Sequence, residues 1–215
     1  MRLLDEYSAR QYLQGRGPRT ARALLARSKR EAVEAAEQIG WPVVLKVSVD
    51  GVGHKSDWNG VQLDVKNVDD VASAWDRLTS SAVAAGLSSS VRGLLVEEHL
   101  RGAEFIIGAL RDESFGPVVM IGSGGIMAEL LHDTVFRLAP IDAREAERAI
   151  RQTRAARLLD GFRGSPALPI GPLAEAMAAA SVLIAETPDM TELDINPFIL
   201  GPDGGAAADL LVRLR

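Results

Sequence analysis

The 215-residue chain contains no cysteine. That excludes disulfides, thiolate metal sites and a cysteine nucleophile. It also has no uninterrupted apolar run of the roughly 18 residues that a membrane span needs. The most apolar stretch, 173–185, is shorter and is broken by Glu175. The first ten residues, MRLLDEYSAR, are charged from the start and have no apolar core. They predict no secretory signal, no membrane attachment and a cytoplasmic protein. Internal repeats and low-complexity segments are absent. A net charge of −5 argues against a general nucleic-acid binder. With 47% apolar and 25% charged residues, the composition is that of an ordinary globule. The length fits one domain or two small lobes. A chain of this size buries roughly 70% of its extended surface, so it folds without staples.

Helical and strand signals alternate, which favours an α/β or α+β architecture. Ser28-Lys29-Arg30-Glu31 has capping-box spacing, followed by Ala32, Val33, Ala36 and Ile39 on one stripe and Gly40 at the stop. A second helix is expected from about Asp69, with Val71, Trp75, Leu78 and Ala82 in register and Gly86 at its end. A third starts at Asp142, with Glu145 three residues on. Residues 5–14 and 173–186 also read as helical. Strands are expected at 42–47, 61–65, 94–98, 105–110 and 118–121. The tail reads as a hairpin, 193–200 and 205–212, around Gly201-Pro202-Asp203-Gly204. Pro197 is an awkward residue for the middle of a strand, because it has no ladder donor.

Several constellations could carry chemistry. Lys46 lies in an apolar strand, on the face opposite Val43, Leu45 and Val47. Either that face is solvated or an anion meets the ammonium, since burying it alone is costly. Gly51-Val52-Gly53-His54-Lys55-Ser56-Asp57 is a loop whose glycines let backbone approach a ligand, but it lacks the Walker spacing. His54 could serve there as base, phosphoryl acceptor or plain loop residue; the other histidines are His99 and His132. Gly122-Ser123-Gly124-Gly125 follows an apolar strand and suits either an anion or a tight connection. Glu97 and Glu98 end one strand and Glu104 begins the next, where carboxylates can meet ribose or metal. In the tail, pairing Leu200 with Gly205 sets Asn196 opposite Asp209, with Asp194 on the same face. Opposed side chains start from Cβ atoms roughly 5 Å apart. An amide and a carboxylate oxygen at that spacing suit a hard cation such as Mg²⁺, or form a polar solvent face; a one-residue slip abolishes the pair.

In this order the segments resemble the ATP-grasp subunit of ADP-forming (NDP-forming) acyl-CoA synthetases, relatives of the succinyl-CoA synthetase β subunit. The likeness is carried by Gly40-Trp41-Pro42-Val43-Val44-Leu45-Lys46, by His54-Lys55-Ser56-Asp57 with Gly60-Val61, and by Leu94-Leu95-Val96-Glu97-Glu98. It continues through Phe115-Gly116-Pro117-Val118-Val119-Met120 into Gly124-Gly125, and through Phe136-Arg137-Leu138-Ala139-Pro140. Gly161-Phe162-Arg163-Gly164 and Glu192-Leu193-Asp194-Ile195-Asn196-Pro197 complete a collinear set spanning almost the whole chain.

The resemblance implies an α+β ATP-grasp fold, with two lobes clasping a nucleotide. The approximate lobes are 23–93 and 94–215 with 1–22. It implies ATP/ADP and Mg²⁺ as cofactors, with Lys46, Gly53 and Lys55 near the phosphates. Val96, Glu97, Glu98 and His99 would form the hinge that reads adenine, largely through backbone groups. Glu104 would hold ribose, Gly124 and Gly125 would line the phosphate end, and Asn196 and Asp209 would bind Mg²⁺. His54 is implied as the nucleophile of a phosphohistidine relay. The length has room for this unit and little else. The resemblance therefore implies a partner, a CoA-binding and ligase α subunit expected in a heterotetramer, that handles the small organic acid and CoA. Two alternatives stand beside this reading: a non-catalytic or regulatory nucleotide-binding protein, and an ATP-grasp ligase that forms an acylphosphate. The chain departs from the family pattern at Asp57-Trp58-Asn59-Gly60, where glycines usually precede the valine, so Trp58 is expected to restrict the histidine loop. It also departs at Gly15-Arg16-Gly17-Pro18-Arg19-Thr20, which replaces an apolar stretch, and at His132, a position often taken by lysine.

Overall fold

A computed structural model describes residues 1–49, 55–125, 133–161 and 166–215, with only the backbone of Ser56 and Asp57. His54, Gly53, His132 and the Phe162-Arg163-Gly164 segment lie outside the described residues. The chain divides into two compact units. The smaller comprises Leu3–Ser8 and Ala21–His99, the larger Met1–Arg2, Ala9–Thr20 and Leu100–Arg215. A boundary expected at residue 93/94 therefore falls at His99/Leu100, because the strand ending at Glu98 pairs with two strands of the smaller unit. Strand β1 (Arg2–Leu4) and helix α1 (Glu6–Leu13) both run across the division.

In the smaller unit, β2 (Ala23–Ala26), β3 (Val43–Val49), β4 (Val61–Val65) and β5 (Val91–Glu98) form an antiparallel sheet in the order β2-β5-β3-β4. Helices α2 (Lys29–Ile39) and α3 (Val68–Ala84) supply Ala32, Ala36, Ile39, Val71, Ala74 and Leu78 to a core that includes Val43, Leu45, Val47, Leu94 and Val96. The helix starts follow the sequence chemistry. The Ser28 hydroxyl accepts the Glu31 amide at 3.2 Å, and Glu31 reaches back to the amide of Arg27 at 2.8 Å. Gly40 then ends α2 at φ 99°. Helix α3 starts at Val68, one residue before the expected Asp69, because Asn67 supplies the cap.

In the larger unit, β6 (Ala103–Asp112), β7 (Gly116–Ser123), β8 (Thr134–Leu138), β9 (Met190–Gly201) and β11 (Leu210–Leu214) run in the order β11-β9-β6-β7-β8, with β10 (Gly204–Ala207) on β9. Helix α4 (Ala143–Gln152) is capped by Asp142, whose carboxylate accepts the Glu145 amide. Helix α5 (Ile170–Glu186) lies on the sheet. Its Leu173, Met177, Ala180 and Ile184 are buried, as are the sheet residues Phe105, Ile107, Ile121, Leu193, Ile195 and Phe198. Strands β1, β2 and β8 lie outside the elements expected from sequence; each has five residues or fewer, too short to show a period. Among the described residues, no helix is long and apolar enough to cross a membrane.

Candidate functional site

The smaller unit settles what faces Lys46. All seven residues of β3 are buried. The solvated-face alternative is excluded, since Lys46 is only 6% exposed. Lys46 stands opposite Leu95 and Glu97 opposite Val44, so the lysine and the glutamate are diagonal neighbours on one face of the sheet. Lys46 Nζ lies 3.1 Å from Glu97 Oε2 and 3.4 Å from Glu6 Oε1. Lys55, which opens a short 3₁₀ turn after the His54 segment, places Nζ 2.9 Å from Glu6 Oε2. Two ammonium groups and two carboxylates thus share one buried cluster.

Beside it, Asp5 is held by Ser48 Oγ at 2.9 Å, by Arg92 Nη1 at 2.8 Å and by the amide and hydroxyl of Ser8. Burial works against ionisation of Asp5, but the hydrogen bonds from Ser8, Ser48 and Arg92 outweigh it and hold its carboxyl below the usual range. Sequence reading missed Glu6 and Asp5. The signal was a lysine in an apolar strand that called for an anion; what it could not supply was an anion forty residues away.

The hinge residues are set by pairing. Val96 is buried between Leu24 and Leu45. Glu98 is tied to Arg22: its carboxylate accepts the Arg22 amide at 2.9 Å and Nε at 3.2 Å, while its own amide donates to the Arg22 carbonyl at 2.9 Å. His99 is half-buried, with Nδ1 3.6 Å from Asp64 Oδ1. Trp58 packs against the helix-side core of the unit, and a Cβ on Gly60 would sit 2.7 Å from its ring. A small residue at 60 is what lets that ring in.

In the larger unit, Glu104, Gly124 and Gly125 come together. The Gly124 amide donates to the Glu104 carbonyl at 2.9 Å. A Cβ on Gly124 would lie 2.7 Å from the Glu104 backbone, and one on Gly125, at φ 60°, only 2.3 Å from Glu104 Oε2. The neighbouring Ser123 hydroxyl donates to Asp133 at 2.9 Å, and Asp133 also accepts the amides of Arg154 and Ala155. Burial pushes the Asp133 carboxyl up, but these hydrogen bonds bring it below the usual range.

The hairpin has the expected register. Gly205 pairs with Leu200, Ala207 with Phe198 and Leu210 with Ile195, which sets Asp209 opposite Asn196; the Asn196 amide donates to the Asp209 carbonyl at 3.3 Å. Pro197 is accommodated at a register shift between β9 and β6, where Asn196 and Pro197 face the single residue Ile106. Asn196 and Asp209 are both half-buried, and Asp209 Oδ1 is oriented by the Leu210 amide at 2.8 Å. Arg10 donates to the carbonyl of Ala208, the residue before Asp209, at 2.8 Å. Among the described residues, no cluster of three or more His, Cys, Asp or Glu could hold a metal by itself. An amide and one carboxylate are hard oxygen donors too few to close a shell. They fit Mg²⁺ that takes its remaining ligands from phosphate and water.

A family model described as ATP-grasp domain matches residues 1–214. The chain belongs to the ATP-grasp family. Among curated ATP-grasp relatives, it is 36% identical over 216 residues to trans-feruloyl-CoA synthase FCS1 of an unknown prokaryotic organism, covering 99% of this chain and 31% of that protein. It is 35% identical to the acetate–CoA ligase [ADP-forming] I subunit beta of Pyrococcus furiosus, covering 97% of this chain and 90% of the subunit. The chain thus spans about a third of the first relatives it matches and nearly all of a separate subunit. Among solved structures, acetyl-coenzyme A synthetase 1 of Ca. Korarchaeum cryptofilum in complex with coenzyme A and Ca-AMPCP superposes with a TM-score of 0.93 at 36% identity, over 100% of this chain and 94% of that one. A second structure of that synthetase, with Mg-AMPPCP, gives 0.85 at 34% over 100% and 93%. The α+β ATP-grasp architecture implied by the sequence is the one found.

Proposed function

We propose that the chain is the nucleotide-binding subunit of an ADP-forming acid–CoA ligase, passing a phosphoryl group between Mg-ATP or Mg-ADP and His54. A separate CoA-binding subunit would complete acid + CoA + ATP ⇌ acyl-CoA + ADP + Pi. The observation that carries this reading is the nearly end-to-end match to a Pyrococcus protein that is by name the beta subunit of an ADP-forming acetate–CoA ligase. The two groups of residues support it chemically. Lys46 and Lys55 lie against the carboxylates of Glu6 and Glu97, partners that suit ammonium groups offered to phosphate. With its carboxylate engaged by Arg22, Glu98 leaves base recognition in the Val96–His99 hinge to the main chain. Glu104 takes the ribose hydroxyls, and Gly53, Gly124 and Gly125 line the phosphate end, with the Gly124 amide held by the Glu104 carbonyl. Asn196 and Asp209 would hold Mg²⁺, which when bound offsets charge on the phosphoryl oxygens.

His54 attacks the γ-phosphorus with a ring nitrogen lone pair. The bond from that phosphorus to the β–γ bridging oxygen breaks, and ADP leaves with the electron pair. The return step runs from phosphohistidine to ADP. The test supplies a CoA-binding α subunit and measures acid- and CoA-dependent ADP release, with γ-labelled ATP as tracer. Acid-labile, base-stable label on the protein is expected, and His54→Ala is expected to abolish both label and turnover. Full turnover in the alanine variant would overturn the relay. Nucleotide binding without label in the presence of the partner would favour a non-catalytic protein.

A further inference from the structure

The buried cluster in the smaller unit has one member, Glu6, to which the proposed reaction assigns no direct contact with substrate. Glu6 is the first residue of α1, and its two carboxylate oxygens go to different lysines: Oε1 to Lys46 at 3.4 Å and Oε2 to Lys55 at 2.9 Å. The four side chains are 1–7% exposed. Glu6 comes from near the start of the chain, Lys46 from the middle of β3, and Lys55 from the residue after His54. One carboxylate therefore joins the strand lysine to the end of the histidine segment. The neighbouring Asp5 is fixed independently by Ser48 and Arg92, so the start of α1 is held on the sheet without help from either lysine.

Stability alone is a poor account of this arrangement. Burying ions costs several kcal/mol each, and well-packed apolar replacements are often as stable. What the carboxylates supply, and apolar side chains cannot, is an opposite charge that aims two ammonium groups. Lysine is a point charge on a flexible stem, so its direction has to come from a partner.

We propose that Glu6 is a positioning residue that clamps Lys46 and Lys55 together, setting both ammonium groups for an anionic phosphate ligand. The ligand rests on the nucleotide reading above; the clamp does not. The chain has only four lysines, and Lys29 and Lys66 have side chains 47% and 63% exposed, which makes them internal references.

The test is graded acetylation of the full chain with an amine-reactive ester, read at each lysine by mass spectrometry, beside Mg-ATP affinity. In the wild type, Lys46 and Lys55 are expected to react far more slowly than Lys29 and Lys66. Losing a contact to a charged group corresponds to about tenfold or more. Glu6→Gln is therefore expected to speed reaction at both buried lysines by about tenfold and to weaken Mg-ATP binding by a similar factor. Glu6→Asp, one methylene short of reaching both, should fall between. Unchanged lysine rates in Glu6→Gln, or raised rates with unchanged Mg-ATP affinity, would overturn the proposal. If Glu6→Gln does not fold, Glu6→Asp decides: wild-type rates and affinity in it would overturn the proposal. So would a wild-type chain in which Lys55 reacts as fast as Lys66. A wild type that fails to bind Mg-ATP would sink the nucleotide reading instead, while the lysine rates still judge the clamp.

Discussion

Asp5 and Glu6 are adjacent carboxylates with different work. Glu6 meets lysines, whereas Asp5 meets two hydroxyls, an amide and an arginine. That difference gives Asp5 a pH signature. Its carboxyl lies below the ordinary range in the folded protein. An acid depressed by folding contributes stability above its unfolded value, about 3.9, and loses it as pH falls through the lower folded value. Denaturant titrations of wild type and Asp5→Asn should therefore differ most above about pH 4 and converge as the solution becomes more acidic. A gap independent of pH would show that Asp5 contributes through packing rather than charge. Trp58 makes a different point. Its ring packs on the helix-side core while Gly60 makes room for it; the histidine loop it was expected to restrict lies outside the described residues.

Among the elements, the register of β10 and β11 on β9 was readable to the residue, and β5 was not. The expected strand 205–212 is split in two, and β9 is longer than expected. Pairing across a tight turn is local, so a turn at Gly201–Gly204 was enough to bring Asn196 opposite Asp209. Pro197 did not break the strand, because the register shift places it where a ladder donor is not needed. Strand β5 is flanked by β2 and β3, and its close packing depends on Gly93. At φ 150°, a Cβ there would fall 2.3 Å from the carbonyl oxygen of Ala26. Gly93→Ala must part β2 from β5 and is expected to cost about 1–3 kcal/mol. Gly86→Ala is the reference: it also has positive φ, 72°, but nothing lies within 4 Å of the added methyl. Thermal unfolding of the two variants separates backbone crowding from φ strain; equal losses would show that crowding contributes nothing.

For the whole molecule, the relevant quantity is ligand linkage. Anything that binds only the folded chain stabilises it by about 2.7 kcal/mol at a hundredfold excess over its dissociation constant. Mg-ATP is expected to raise the melting temperature accordingly, and EDTA to remove most of the gain. His54→Ala should leave the shift in place, because phosphoryl transfer is not needed for binding. A shift indifferent to EDTA would speak against Asn196 and Asp209 as the cation site.

The sequence by itself determined the family, the capped starts of α2 and α4 and the hairpin register. Each of these rests on contacts close in sequence: a cap three residues from its amide, a turn four residues long, or an ordered string of short motifs. The tertiary structure alone decided what Lys46 faces, that Lys55 shares its carboxylate, and that Glu98 is held by Arg22. Those partners are separated by 40, 49 and 76 residues. A buried charge announces that it needs a counter-charge, but only the folded chain determines which distant carboxylate supplies it.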